Sequence, residues 1–238
     1  MEKLKKQIKK IIKDYKIQDG IVRIKTKVLS AEEAIGNPEH NDYPIQKGRE
    51  RLMQADFNGA YGVAFTDMFG DYNGSLYEIV NMELKNNFRR AIFISTINAV
   101  LSCFGLVDKT SHCRNEGPVN CRKRIVEFMR DNFGNPKIFQ AGLQPRFVEV
   151  LSKEFEFRVT DMDKDNIGKK INGVTIGPAG DTEKNIEWCD VVFATGSTFV
   201  NETYEQLMMD SKPTVFYGVT CAGATYLLNL KRYCPEGI

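Results

Sequence analysis

The stretch Asp190-Val191-Val192-Phe193-Ala194-Thr195-Gly196-Ser197-Thr198-Phe199-Val200-Asn201 decides the fold. Its unbroken apolar run, closed by a hydroxyl and a glycine, reads as a strand over Asp190 to Thr195 buried on both faces, the kind found in parallel sheets. A hydroxyl-rich loop follows and leads into a helix over Asn201 to Met209. Outward from it the same alternation recurs. Helix Val119 to Asn132 starts behind Pro118, then come strand Lys137 to Ala141, helix Gln144 to Glu154 and strand Phe157 to Asp161. A hairpin turns at Asn172-Gly173, and strand Thr214 to Val219 precedes helix Ala224 to Leu230. Alternation of helix and strand implies a parallel sheet covered on both faces, and hence an α/β fold class.

The first third of the chain reads differently. Residues 1 to 16 carry seven lysines, with Leu4, Ile8, Ile11, Ile12 and Tyr15 on one helical face. This basic amphipathic helix either docks with a solvated lysine face or lies on a membrane surface. Strands are expected at Ile21 to Val28, Tyr61 to Thr66 and Leu76 to Leu84, with a short helix near Arg49 to Gln54 inside a long polar loop. Residues 1–86 thus form a small α+β domain. The apolar helix Phe88 to Phe104, capped by Gly105, opens a second domain over 87–238.

Composition excludes several functions. The 238 residues are 42% hydrophobic, so packing can carry the fold, and a net charge of +2 supplies no broad basic field for nucleic acid. No apolar run reaches the roughly 18 residues of a membrane span, and no signal-peptide core follows Met1. A cytoplasmic protein is expected, with its six cysteines as reduced thiols. The expected partners are a small molecule and at most a second copy of the chain, neither nucleic acid nor membrane.

Ligands of open parallel sheets bind beyond the carboxyl ends of the strands. The loops at Gly142 to Pro145, Asp161 to Asp163, Thr195 to Thr198 and Thr220 to Gly223 qualify. Backbone N–H groups at Thr195 to Thr198 either hold a carboxylate or phosphate, or Ser197 or Thr198 merely caps a helix. Asp161 follows Gly142 at about the 20-residue spacing of a ribose-reading acid, but the G-x-G-x-x-G fingerprint is missing, so an ordinary NAD site is not expected. Asn98, a carboxamide inside an apolar helix, either braces backbone or points into the cleft.

The cysteines sort by sheet edge. His112, Cys113, Cys121 and Cys221 fall on the ligand side, where they offer donors suited to zinc, copper, nickel or iron, although no C-x-x-C knuckle is present. They are either metal ligands or isolated thiols. Cys189, just before a strand, and Cys234, just after a helix, fall on the opposite edge as structural residues, and Cys103 is a buried small hydrophobe. His40 is left as a surface residue. With only two histidines no Ser/His/Asp triad can be assembled.

The segment Asp190 to Asn201 resembles the D-x-x-x-x-T-G-S-T-x-x-N pattern of the bacterial and archaeal family described as putative heavy-metal chelation. Arg90-Ala91-Ile92 through Val100, Thr110-x-His112-Cys113 through Cys121, Gly142-Leu143-Gln144-Pro145 and Tyr217 to Thr220 support it. The loop at Cys221-Ala222-Gly223 departs from the family, which is richer in a proline there. The resemblance implies an enolase-N-terminal-like α+β domain followed by a Rossmann-like domain, with a cleft between them and a role near metals or chelators.

The leading expectation is therefore an interdomain small-ligand site built from Asn98, Gly142, Gln144, Asp161, Thr195, Gly196, Ser197, Thr198, Asn201 and Thr220. It binds an anionic or metal-chelating metabolite, with a transition metal or metal chelate as the associated group. The alternative is a transferase or reductase using a nucleotide-type cofactor. A third reading is a non-catalytic storage or regulatory protein.

Overall fold

The computed structural model describes residues 1–17, 23–38, 40, 43–47, 50–208 and 212–238. Helix α1 (Glu2–Asp14) docks through Leu4 and Ile8, both fully buried, and leaves Lys3, Lys6, Lys9, Lys10 and Lys13 outward. After it come β1 (Arg23–Leu29), α2 (Ala31–Ile35), β2 (Arg51–Phe57), β3 (Ala60–Thr66), β4 (Tyr72–Ser75) and α3 (Leu76–Asn81). Ile21 and Val22 of the expected first strand lie outside the described residues. The strands pair antiparallel in the order β3-β2-β1-β4.

Two local expectations for this half are corrected. The segment expected as a helix near Arg49 to Gln54 is strand from Arg51 onward. Its side chains alternate in burial from Met53 to Phe57, and Asn58 and Gly59, with φ of 52° and 81°, turn it into β3. Leu76 to Leu84, expected as a strand, begins instead as α3, because Ser75 and Glu78 form a capping box. The Ser75 hydroxyl accepts the Glu78 N–H at 3.1 Å, and the Glu78 carboxylate accepts the Ser75 N–H at 2.7 Å.

Helix α4 (Asn87–Cys103) follows, with every residue from Ala91 to Leu101 buried. It is apolar on all sides because it is covered on all sides. One flank lies on β2 and β3, and the other packs against helices of the second sheet, so Phe93, Ile94 and Ile97 join Met53 and Phe57 to Val192, Ala194 and Phe216 in one core. Each such side chain contributes about 1.5–3 kcal/mol by leaving water.

The remaining elements are α5 (Gly117–Phe133), β5 (Ile138–Ala141), α6 (Pro145–Glu154), β6 (Phe157–Asp161), β7 (Lys170–Ile171), β8 (Val174–Pro178), α7 (Thr182–Trp188), β9 (Val191–Thr195), α8 (Ser197–Val200), β10 (Thr214–Tyr217), α9 (Ala222–Leu228) and β11 (Lys231–Tyr233). They build a sheet ordered β11-β10-β9-β5-β6-β8-β7, parallel except for the β7–β8 hairpin that turns at Asn172-Gly173. α5 and α6 cover one face, where Phe147 packs edge-on against Tyr217 and tilted against Phe193. α4, α8 and α9 cover the other.

The protein is thus mixed α/β, as the alternation predicts. The helix expected over Asn201 to Met209 is replaced by the four-residue α8 and a 3-10 turn, Tyr204–Leu207; Met209 lies outside the described residues. β11 is an addition. Among the described residues no helix is long and apolar enough to cross a membrane.

Candidate functional site

From β5 the chain steps to β6 on one side, and from β9 to β10 on the other, so the strand order reverses between β5 and β9. Adjacent connections diverge at such a point and leave a crevice at the carboxyl ends. Gly142 and Thr195 stand there. Gly142 has φ of 89°, and a Cβ on it would lie 2.4 Å from Thr195 Cγ2, so only glycine fits the turn. Tyr217 and Gln140 donate to its carbonyl at 2.7 and 2.9 Å, which fixes the loop.

Two compartments open from this point and share Glu50, Leu143, Thr195 and Ser197 as a common wall. The polar one, about 440 Å³, runs along Asp67, Asn87, Asp161, Asp163, Thr198 and Asn201. The second, about 150 Å³, is mainly apolar. Phe65, Phe147, Tyr217 and Val219 line it, and it ends among His112, Cys113, Cys121 and Cys234. The polar compartment alone is of ordinary small-ligand size.

Electrostatics divide the compartments. Glu50 enters from the start of β2 and is held up to about 7 by burial and by the charges of Asp161, Asp67 and Asp163. Its carboxylate accepts no hydrogen bond from a described residue. Asp67 accepts from Asn87 at 2.6 Å, and Asn87 donates on to Asn201 at 3.2 Å, so the rim ties β3, α4 and α8 together. Both Asp161 oxygens are used inside their own loop, one by the Asp163 N–H at 3.1 Å and one by Asn166 at 2.9 Å. That occupation fills the position expected to read a ribose.

At the apolar end Cys113 and Cys121 line one wall of the compartment, with Cys113 Sγ 3.9 Å from His112 Nδ1. The Cys121 thiol and burial push the ionisation of Cys113 up, whereas that of Cys121 is held down, chiefly by Cys113, with help from the Glu236 N–H. His112 is half-buried, and desolvation holds it below its ordinary value. Its Nδ1 meets the Cys113 carbonyl at 2.6 Å and must carry the proton, because a carbonyl only accepts.

Residues 128–229 match the family model DUF364, described as "Putative heavy-metal chelation". The matched segment spans β5 to α9 and supplies Gly142, Asp161 and Thr195 to the cleft. The chain is also similar to two solved structures of unknown function from DUF364. One, from Pyrococcus horikoshii, shares 16% identity at a TM-score of 0.57, covering 92% of this chain and 78% of that one. The other, from Desulfitobacterium hafniense, shares 13% at 0.50, covering 75% and 72%. At these identities the likeness is one of fold. No curated protein matches.

The matched segment brings Gly142, Gln144, Asp161, Thr195, Gly196, Ser197, Thr198, Asn201 and Thr220 to the compartment walls. Gln144 also caps α6, accepting from Phe147 N at 3.1 Å. Thr198 turns back on the Thr195 carbonyl at 2.8 Å rather than capping α8. With only four residues, α8 has little dipole to offer an anion.

Four expectations change. Asn98 lines neither compartment; it is fully buried and braces backbone on both sides of the cleft. Cys221 is also withdrawn, fully buried with its thiol toward the Gly218 carbonyl at 3.3 Å and pushed up to about 12 by burial. Cys234 moves to the ligand side, because β11 runs parallel to β10 and delivers it to the same edge. His40, expected at the surface, is half-buried against Arg146 at 3.1 Å.

The expected metal set of His112, Cys113, Cys121 and Cys221 is thereby split. Among the described residues no three His, Cys, Asp or Glu side chains converge to hold a metal ion. The donors present do not fit a resident metal. Glu50, Asp67 and Tyr217 are compartment-wall positions that the sequence reading missed. Glu50 and Asp67 come from a different sheet, and Tyr217 sits inside an ordinary strand pattern.

Proposed function

We propose that the cleft binds a small metal-chelating molecule, with the metal carried as part of the ligand. The observation that supports this reading is the convergence of Glu50 and Asp67 from the first sheet with Asp161 and Asp163 from the second, at the strand-order reversal. Carboxylates gathered there favour a positively polarised group, and the adjoining apolar compartment suits the organic part of a chelator. The DUF364 description points the same way. A purely anionic metabolite, the other ligand expected from sequence, would meet four carboxylates against Lys164 on the same wall, with little help from the short α8. The nucleotide-cofactor reading loses support with Asp161, whose oxygens are engaged.

Thermal shift and calorimetry with nickel(II)–bipyridine, free nickel(II), free bipyridine and citrate test it. The complex should stabilise the protein, and Glu50→Gln and Asp67→Asn should weaken that effect roughly tenfold in affinity, about 1.4 kcal/mol. A response to citrate alone, or none to the complex, overturns the proposal.

A further inference from the structure

The apolar compartment, about 150 Å³, has the size at which a largely apolar cavity takes up a single benzene-sized ring. Phe65, Phe147, Tyr217 and Tyr233 stand on its walls, and their neighbours hold them in place. Phe147 meets Tyr217 edge-on with centroids 5.3 Å apart, and Phe65 meets the imidazole of His112 in the same way at 5.5 Å. Rings locked in perpendicular pairs make a preformed wall, on which another aromatic ring finds stacking and edge contacts that a flexible aliphatic chain does not. Apart from Glu50 at the shared wall, no described lining residue bears a carboxylate, ammonium or guanidinium. A charged ring would therefore be buried there without a partner.

One polar position is left open. His112 Nδ1 carries the ring proton into its 2.6 Å bond with the Cys113 carbonyl, so in the neutral imidazole Nε2 holds a lone pair. Among the described residues no donor reaches that nitrogen, which is open to solvent, and His112 lines the compartment. We propose that the apolar compartment is a subsite for a neutral aromatic ring bearing one hydroxyl, which donates to His112 Nε2 while the ring packs against Phe65, Phe147 and Tyr217. The proposal rests on the cleft being a ligand site and names the organic group of that ligand. The rest of the molecule reaches the carboxylates past the wall shared at Leu143 and Thr195. Two fused rings exceed the space.

Calorimetry and protein-observed NMR of the full chain with phenol, anisole, toluene and 2-naphthol test this with no metal present. Phenol should bind, anisole and toluene, which lack the donor, should bind roughly tenfold more weakly, and 2-naphthol should not bind. Nuclear Overhauser contacts from the phenol ring should fall on the methyls of Leu143 and Val219, both on the compartment wall. His112→Phe keeps a ring beside Phe65, and should bring phenol down to the level of anisole while leaving toluene unchanged. Phenol that does not bind, that binds no better than anisole, that is indifferent to His112→Phe, or whose contacts fall elsewhere overturns the proposal. If phenol fails and nickel(II)–bipyridine still binds, the ring subsite alone falls. If phenol binds as expected and the complex does not, the metal reading falls and the ring subsite stands.

Discussion

Asn98 Oδ1 accepts the Gly223 N–H at 2.7 Å, pinning the turn into α9 to the middle of α4. The same carboxamide donates to the carbonyls of Val63 and Thr220 at 2.9 and 3.0 Å, so one buried side chain joins β3, α4 and the loop after β10. Asn98→Leu keeps the volume but leaves these backbone groups unpaired. It should cost about 3 kcal/mol in denaturant unfolding. A loss below ~1 kcal/mol would mean that the brace is dispensable.

Glu50 sets a pH dependence of unusual sign. Its folded value, about 7, lies above the ordinary 4.5 because burial and three carboxylates disfavour its charge. The native state therefore binds more protons than the unfolded chain between these values, and stability falls as pH rises through that window. Glu50→Gln should match the parent below about pH 4.5 and exceed it by ~1–3 kcal/mol at pH 8. Urea unfolding of both across pH checks this, and a difference independent of pH would contradict it.

Gly142→Ala brings two separate penalties, a methyl at φ 89° and a clash with Thr195 Cγ2 at 2.4 Å. We expect a loss of at least ~2 kcal/mol. Thr195→Ser removes the clashing methyl, so in a double-mutant cycle it should return the steric part and leave the backbone part. Strict additivity would show that the two residues do not touch.

Ser75 holds the first turn of α3. Ser75→Ala removes the hydroxyl that accepts from Glu78, and should cost about 1 kcal/mol, with faster amide exchange over 76–81. Unchanged exchange there would mean that packing alone holds the helix.

Much of the parallel sheet was legible because buried strands and capped helices write local signals. β6 begins and ends where the alternation places it, and β9 starts one residue late. The errors have local causes as well. The Ser75–Glu78 box outweighed an apolar run that resembled a strand, and β11, Lys231–Tyr233, is too short to carry any period. Missing that strand put Cys234 on the wrong edge. Nine of the compartment-wall positions on the matched segment were accessible for the same reason the sheet was: loops at the ends of parallel strands gather on one side.

Glu50, Asp67 and the withdrawal of Asn98 were not accessible. The sequence by itself determined the mixed α/β class, the strand ends that form one wall of the cleft, and the apolar character of α4, since each depends on residues a few positions apart. Only the tertiary structure decided which groups face those strand ends. That depends on how the antiparallel sheet docks across α4 and brings Glu50 beside Asp161, a contact made by packing over a long chain separation, which no local pattern encodes.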